Sequence, residues 1–502
     1  MSALLALQSS PLPRVAAPGI VAVALTYAAI VAAIAVRASR RTRTAKDFFI
    51  AGGGIGIWAL SIAAMAATLS GFAFIGGPGL LYTLGFGAVF IVLPASLTNT
   101  LTAWVLAKRM RILGEVRGLL TVPDAIGARY RSPAAQGLAG LAILVAIVGY
   151  MATNVLALGL VVDALFGTGL GPGIWIGTAA VLAYSAAGGM LAGVYTDLFQ
   201  GAVMALASVL VFWYALASGG GLGGISRTIL AADPGFLAPW GKLTPLAALS
   251  FFFVFGLGAL GQPHVVHKFY MLRDPLRLKW YPALMTAALI LTLLLYFGVG
   301  VAVKADVVAG RLAPLARADD ATPRFLLLHA PVLLAGIVFS GVAAAIMSTV
   351  NSFLSIGAAV VTHDIPVALG RRLPGELLWG RLSTAGISVL AALLAQRSGT
   401  LVAFLGIFGW GLFASTLVPA LAIGLNWPGA TRGGAIASIL TGLLTTLGFE
   451  TAAYFRLYSF PAGVTVSGLS LVLSMLVFFG VSALTRRQHE EIEPDIRMVM
   501  EI

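Results

Sequence analysis

Apolar residues fill this chain in long blocks, separated by short polar stretches in which Lys and Arg gather. A block of about 20 apolar residues is long enough to cross a bilayer as a helix. Thirteen such blocks lie near residues 17–37, 54–80, 85–108, 134–165, 171–190, 195–217, 246–267, 279–303, 325–361, 381–397, 400–425, 433–453 and 460–485. The pattern predicts an all-α polytopic membrane protein of about 13 transmembrane helices, with residues 1–502 forming one integral membrane domain. The first block is too long and too late for a cleaved signal peptide. The two largest outer intervals, 218–245 and 304–324, mix Gly, Pro and charge and predict short surface helices. The C-terminal RRQHEEIEPDIRMVMEI reads as a short, solvated tail.

Two blocks break the apolar rhythm with helix-weakening residues. The second contains SGFAFIGGPG, Ser70 to Gly79, and the seventh contains GLGALGQPH, Gly256 to His264. Proline removes a helix hydrogen bond and glycine costs about 1 kcal/mol relative to alanine. Close packing of small residues is one reason to tolerate them in a membrane helix. The pair has a second reading. The two blocks are five spans apart and therefore run in opposite directions. Interrupted helices at matching places of two inverted halves mark the mid-membrane site of a secondary transporter. On that reading spans 2–6 (about 54–217) form one repeat and spans 7–11 (about 246–425) the other. The helices near 17–37, 433–453 and 460–485 are additions outside this core.

Polar side chains within apolar blocks supply the candidate chemistry. In AAIMSTVNS, Ala344 to Ser352, the residues Ala345, Ser348, Thr349 and Ser352 follow i, i+3, i+4, i+7 and share one helix face. Their oxygens are hard, neutral ligands of the kind small cations prefer. The competing reading is that the hydroxyls bond back to their own helix. The interruption in span 2 frees carbonyls around Ala66 to Leu69, and unwound carbonyls coordinate Na⁺ in such helices. Three acids lie near the membrane: Asp163 and Glu450 near outer span ends, and Asp197 at the start of span 6. An ionisable residue within a span is a functional candidate by default.

Composition narrows the classes. The chain is 59% hydrophobic and only 10% charged, with mean hydropathy +0.99, far from a soluble domain. Cysteine is absent, which excludes disulfides, thiol catalysis and Cys-ligated metals. The net charge of +13 fits loops obeying the positive-inside rule and needs no nucleic-acid partner. With the N-terminus outside, 22 of the 31 Lys and Arg fall in cytoplasmic segments. These are the groups Arg37–Lys46, Lys108–Arg131, Lys268–Lys279, Arg371–Arg381, Arg432 and Arg486–Arg497, whereas Arg14, Arg227 and Lys304 fall outside. No cluster of acids or His forms a catalytic arrangement, so the chain is not expected to be an enzyme.

KDFFIAGGGIGIWAL (Lys46 to Leu60), GGMLAGVYTDLFQG (Gly188 to Gly201), GLGALGQPH and AAIMSTVNS together resemble the sodium:solute symporter family, over about residues 20 to 480. That family includes proline, monocarboxylate, pantothenate, sugar and sialic-acid transporters. The resemblance implies a LeuT-like inverted-repeat fold with discontinuous core helices 1 and 6, and Na⁺ as transported coupling ion. By the same resemblance the main sodium site falls on the carbonyls of Ala66, Leu69 and Ala345 and the hydroxyls of Ser348 and Thr349. A second, deeper ion held by some members would fall on Asp197, Ser348, Asn351 and Ser352, with Asn351 in place of a hydroxyl.

For the solute, the resemblance points to Thr68, Ser70, Phe72, Tyr150, Ala259, Gln262 and His264 as the lining. Proline transporters have Asp where this chain has Thr68, Trp in place of Phe72 and Tyr in place of Ala259, while Tyr150 matches. The lost aromatic walls predict a pocket of different shape. No Lys or Arg is expected within the membrane to meet a carboxylate. His264 is either a lining residue or a packing histidine. The expectation is a sodium-coupled symporter of a small organic acid, amino acid or sugar-like solute, in the cell membrane and surrounded by lipid, monomeric or weakly oligomeric. Proton coupling through Asp197 and a transporter-like membrane sensor are the alternatives. No output domain follows the last span within this sequence.

Overall fold

The computed structural model describes residues 16–42, 44–371, 373–398, 402–461, 463–486 and 491–502. Of the loop charges above, Arg14, Arg43, Arg372 and Arg487 lie outside the described residues. Among those described, the chain is helical and carries no strand beyond one isolated bridge between Ile55 and Leu272.

The helices that build the bundle are α1 (Pro18–Ser39), α2 (Ile57–Thr68), α3 (Gly77–Leu84), α4 (Val89–Thr102), α5 (Lys108–Arg117), α6 (Val122–Tyr130), α7 (Pro133–Phe166) and α8 (Leu170–Ser218). Then follow α9 (Pro245–Gly258), α10 (Pro263–Val266), α11 (Tyr281–Val308), α12 (Val332–Ala359), α13 (Glu376–Ser398), α14 (Val402–Leu417), α15 (Arg432–Tyr454), α16 (Val466–Leu484) and α17 (Pro494–Met500). Eleven helical runs are long and apolar enough to cross a membrane among the described residues. Two shorter apolar helices, Ile57–Thr68 and Leu170–Ala183, join them.

Local sequence sets where several helices begin. Thr244, Thr431 and Thr465 each accept a hydrogen bond from the backbone N–H three residues on, closing the N-termini of α9, α15 and α16. Thr121 and Asp124 cap α6 reciprocally. Both expected interruptions are present. Backbone at Leu69 is extended between α2 and the π-helical turn Phe72–Gly76 that leads into α3. Gln262 is extended between the tight turn Ala259–Gly261 and α10.

The fifth and sixth apolar blocks are joined without a loop. They form α8, which turns at Gly189 with φ 53° and ψ −144°, a backbone conformation open essentially to glycine alone. Gly193, one turn on, lies so close to Asn351 that a Cβ would meet the amide nitrogen at 2.0 Å. This absence of a side chain lets α8 pack closely against α12.

Hydrogen bonds gather one set of loops at one end of the bundle. Tyr270 donates to the Thr121 carbonyl, Arg111 to that of Leu272, and Arg129 to those of Gly424 and Trp427. The tail is docked there rather than solvated. Arg117 holds the Asp495 carboxylate with two nitrogens at 2.6 Å each and also pairs with Glu493. Ile496 and Val499 of α17 are buried. The alternation of apolar and charged positions in PDIRMVM supplies that buried face. The intervals 218–245 and 304–324 hold the short helix Gly221–Ala232 and the start of a second, Ala321–His329, and Lys304 ties the end of the first to the bundle by an ion pair with Asp233 at 2.8 Å.

Candidate functional site

The breaks at Leu69 and Gln262, the middle of α12 and the Gly189 turn of α8 converge in the core. At the first break, backbone amides leave the helix ladder for side chains. The Gly71 N–H donates to Asn154 Oδ1 at 2.9 Å and the Phe72 N–H to Ser70 Oγ at 3.2 Å. In an unbroken helix these amides would bond to the carbonyls of Ala67 and Thr68, one turn back. Those carbonyls are therefore released, flanked by the predicted carbonyl donors Ala66 and Leu69. Thr349 reaches across from α12, its hydroxyl 2.9 Å from the Ala67 carbonyl and 3.0 Å from that of Ala345. The structure thus brings Thr349, Ala345 and the break of α2 together and places Ala67 closest to the hydroxyl.

Ser348 points to the other side of α12. Its hydroxyl donates to Asp197 Oδ1 at 2.5 Å, and Lys268 Nζ lies 3.2 Å from Asp197 Oδ2. Asp197, Lys268 and Ser348 are fully buried. This corrects the expectation of no Lys or Arg among the spans, although Lys268 meets the chain's own Asp197 and does not line the cavity. The seventh apolar run continues to Met271 and carries Lys268 inward, whereas the hydropathy pattern ends it at residue 267 and counts Lys268 as loop. Asp197, expected at the start of span 6, is wholly enclosed. Asn351 donates to the Gly189 carbonyl at 3.4 Å and leaves its own Oδ1 without a partner, as is Ser352 Oγ. Neither residue has a hydrogen bond to Asp197, so of the predicted deeper ligands only Ser348 and Asp197 meet directly.

Beside the first break lies a cavity of about 30 Å³, lined by Thr68, Leu69, Phe72, Tyr150, Asn99, Phe255 and Trp410 among others. That volume holds about one or two waters, so the site is closed around it. Phe72 stacks on Phe255 and Phe255 on Trp410, with ring centroids 5.8 and 5.2 Å apart. These two residues restore an aromatic wall that the comparison with proline transporters at Phe72 and Ala259 implied was lost. Ser70 is tied to Tyr150, hydroxyl to hydroxyl, at 3.1 Å. Thr68 bonds back to Ala64 at 2.8 Å.

The seventh-span candidates stand outside the cavity wall. Gln262 donates to the carbonyls of Gly258 and Trp410, and its Oε1 is without a partner. His264 is packed among Phe353, Tyr150 and Trp410, its nearest ring centroid 4.7 Å away, and both ring nitrogens are unpartnered. Ala259 is buried in the Ala259–Gly261 turn. Asn154, Phe255, Trp410 and Lys268 were missed. Asn154 carries a readable signal, a lone amide one turn after Tyr150 in an apolar run, and Lys268 follows His264 by four residues on the same helix face. Phe255 and Trp410 carry none, because aromatics are ordinary in membrane helices.

The family model described as sodium:solute symporter family matches residues 48–442, and the chain belongs to that family. Among its relatives is the osmoregulated proline transporter OpuE of Bacillus subtilis, 28% identical over 464 residues, covering 90% of this chain and 92% of the relative. The sodium/proline symporter of Escherichia coli is 25% identical over 471 residues, with 90% and 92% covered. A solved Na⁺-coupled sialic acid symporter, in a substrate-bound outward-open state, superimposes with a TM-score of 0.77 at 19% identity, covering 95% of this chain and 99% of that one. The nucleobase-cation-symport-1 family transporter Mhp1 gives 0.54 at 13% identity, with 89% and 96% covered. The fold is the LeuT-like one, and the chain is a multi-pass transporter of the plasma membrane whose coupling ion is Na⁺.

Proposed function

We propose that this chain imports a small organic solute, an organic acid, amino acid or sugar-like compound, together with Na⁺ by alternating access. The observation that carries the reading is Thr349 spanning from α12 to the carbonyls released at the break of α2. Sodium entering there would take over the Thr349 and Ala345 oxygens and carbonyls of the Ala66–Leu69 stretch, drawing the two elements together. The adjoining cavity between Thr68, Phe72, Tyr150, Phe255 and Trp410 would widen to admit solute. Each ligand then favours the arrangement that the other binds, which is the thermodynamic content of coupling. The membrane potential adds about 2.3 kcal/mol per charge per 100 mV to inward sodium flow.

In this scheme spans 2–6 and 7–11 are the two inverted halves, the N-terminus is outside and the tail cytoplasmic. The site's lining is aliphatic and aromatic with Asn99, Thr68 and Tyr150 as polar groups, and it presents no charge. That favours a compact solute that is neutral or carries its own compensating charges. The proline transported by several relatives belongs in the panel to be tested. The test is uptake into proteoliposomes with T349A, since the Ser348 hydroxyl faces Asp197 rather than the released carbonyls. A raised sodium requirement or lost uptake in a normally folded protein supports the cage, and an unchanged sodium dependence refutes it. Proton coupling through Asp197 is the second reading, favoured by its contact with a second titratable group, Lys268. Uptake driven by a pH gradient in sodium-free buffer would establish it in place of sodium coupling.

A further inference from the structure

Away from the break, the chain places a second set of ligating groups at the far end of the helix run that continues α12. His363 and Asp364 sit in its terminal π-helical stretch Val360–Asp364, and Asp124 faces them from α6. His363 Nε2 lies 3.1 and 3.2 Å from the two Asp124 oxygens. One ligand atom from each of the three residues falls within 4.8 Å of the others. Asp364 is fully buried, yet its Oδ2 has no partner. A buried carboxylate oxygen without a donor is costly unless something positive or protonated meets it.

The surroundings are arranged to aim these groups. Thr121 donates to Asp364 Oδ1 at 2.5 Å, and Gln136 Nε2 donates to Asp124 Oδ1 at 2.7 Å and to Asp364 Oδ1 at 3.3 Å. These bonds fix both carboxylates and leave Asp364 Oδ2 free. On the opposite edge of the imidazole, His363 Nδ1 faces Glu376 Oε1 at 3.9 Å. In this geometry the Nε2–H donates to the Asp124 carboxylate, and an ion taking the place of that proton would release it, leaving Nε2 as ligand and the other ring proton on the side of Glu376. His363 and Glu376 are partly open to solvent, with side chains 20% and 30% exposed, which gives an ion a way in.

We propose that Asp124, His363 and Asp364 form a binding site for one divalent transition-metal ion of the Zn²⁺ type. One nitrogen and two carboxylate oxygens suit such an ion, with water as fourth ligand. Ion-to-ligand lengths of about 2.0–2.2 Å would bring the three ligand atoms to about 3.4 Å apart, a modest contraction from the present spacing. A doubly positive ion offsets the two carboxylates with the imidazole neutral. Binding would clamp α6 to the end of the helix that carries Ser348 and Thr349.

The test uses full-length, tag-free transporter in detergent, titrated with Zn²⁺ by calorimetry and with Co²⁺ by its visible absorption. The expected result is a single saturable site, Co²⁺ bands typical of four-coordination, and at least about tenfold weaker binding in H363Q and D364N. Should D364N fail to fold, H363Q decides alone, because its ring stands on the partly open side of the cluster. No binding of either ion to the wild-type protein, or binding that H363Q leaves unchanged, overturns the proposal.

Discussion

Lys268 puts an ammonium against Asp197 where neither side chain reaches solvent. Desolvation costs several kcal/mol per ion, and removing one partner of such a pair typically costs about 3–5 kcal/mol because the other charge is stranded. Lys268 therefore already occupies the positive position that a second ion beside Asp197 would need. K268M is expected to lower the melting temperature in the absence of sodium and to gain a larger sodium-dependent stabilisation than wild type, since the ion can then settle on the bared carboxylate. D197N/K268M should recover most of the sodium-free stability and lose the added sodium response. Thermal unfolding across a sodium series separates these outcomes, and an unaltered sodium response in K268M would dissociate Lys268 from ion binding. The Ser348 and Thr349 hydroxyls are legible as candidates from spacing within one helix, but not the fact that they serve opposite sides of it. The Lys268 contact is not, because it depends on how far an interrupted helix continues past its apolar block.

Elements here are shaped by a few backbone positions that side-chain pattern barely records. Gly189 turns α8 in a conformation costing a residue with Cβ on the order of 1–3 kcal/mol, and an added Cβ would also meet Phe48 Cδ2 at 2.5 Å. Because Asn351 donates to the Gly189 carbonyl, the turn also anchors α12. G189A is expected to lower the melting temperature and reduce uptake together; retention of both would show that the turn relaxes freely. A second element-level constraint is Asp319, in the connector before Ala321–His329, which accepts the N–H of Val402 at 2.8 Å. Burial pushes its carboxyl up to about 6, only partly countered by that N–H. The folded chain then holds this proton more tightly than the unfolded chain, so stability is greatest at low pH and declines as pH rises toward about 6. The difference is on the order of 3 kcal/mol. D319N keeps an oxygen for Val402 and should raise the melting temperature at pH 8 but not at pH 4; an equal shift at both would assign the effect to packing. Both broken helices were readable from Gly and Pro inside apolar runs. The boundary between the blocks 171–190 and 195–217 marked a break near Gly189, but gave no sign that a single glycine turn makes it without a loop.

Across the whole molecule, one end of the bundle is closed by contacts between segments far apart in sequence. Arg117 joins α5 to the tail through Asp495 and Glu493, Arg109 donates to the Met500 carbonyl at 3.1 Å, and Arg131 lies 3.4 Å from Glu493. A charged terminal stretch reads as solvated because composition does not reveal that Ile496 and Val499 share one face or that α5 offers a partner. The ion pairs are partly exposed, so each contributes about 0.2–1 kcal/mol and weakens with salt. The apolar face supplies the rest, at roughly 25 cal/mol per Å² buried. R117A is therefore expected to loosen the tail without unfolding the bundle, seen as faster amide exchange confined to residues 494–500. High salt should reproduce part of that change in wild type and add little in R117A. Acid should act the same way. The hydrogen bond from Arg117 holds the Asp495 carboxyl below its usual range, so its contribution is present above the ordinary carboxylate pKa and disappears as pH falls through the lowered folded value. Exchange in 494–500 that is insensitive to R117A, salt and acid alike would mean that Ile496 and Val499 alone keep the tail on α5. A change spreading into α12 would instead show that tail docking and the helix bearing Ser348 and Thr349 open as one unit.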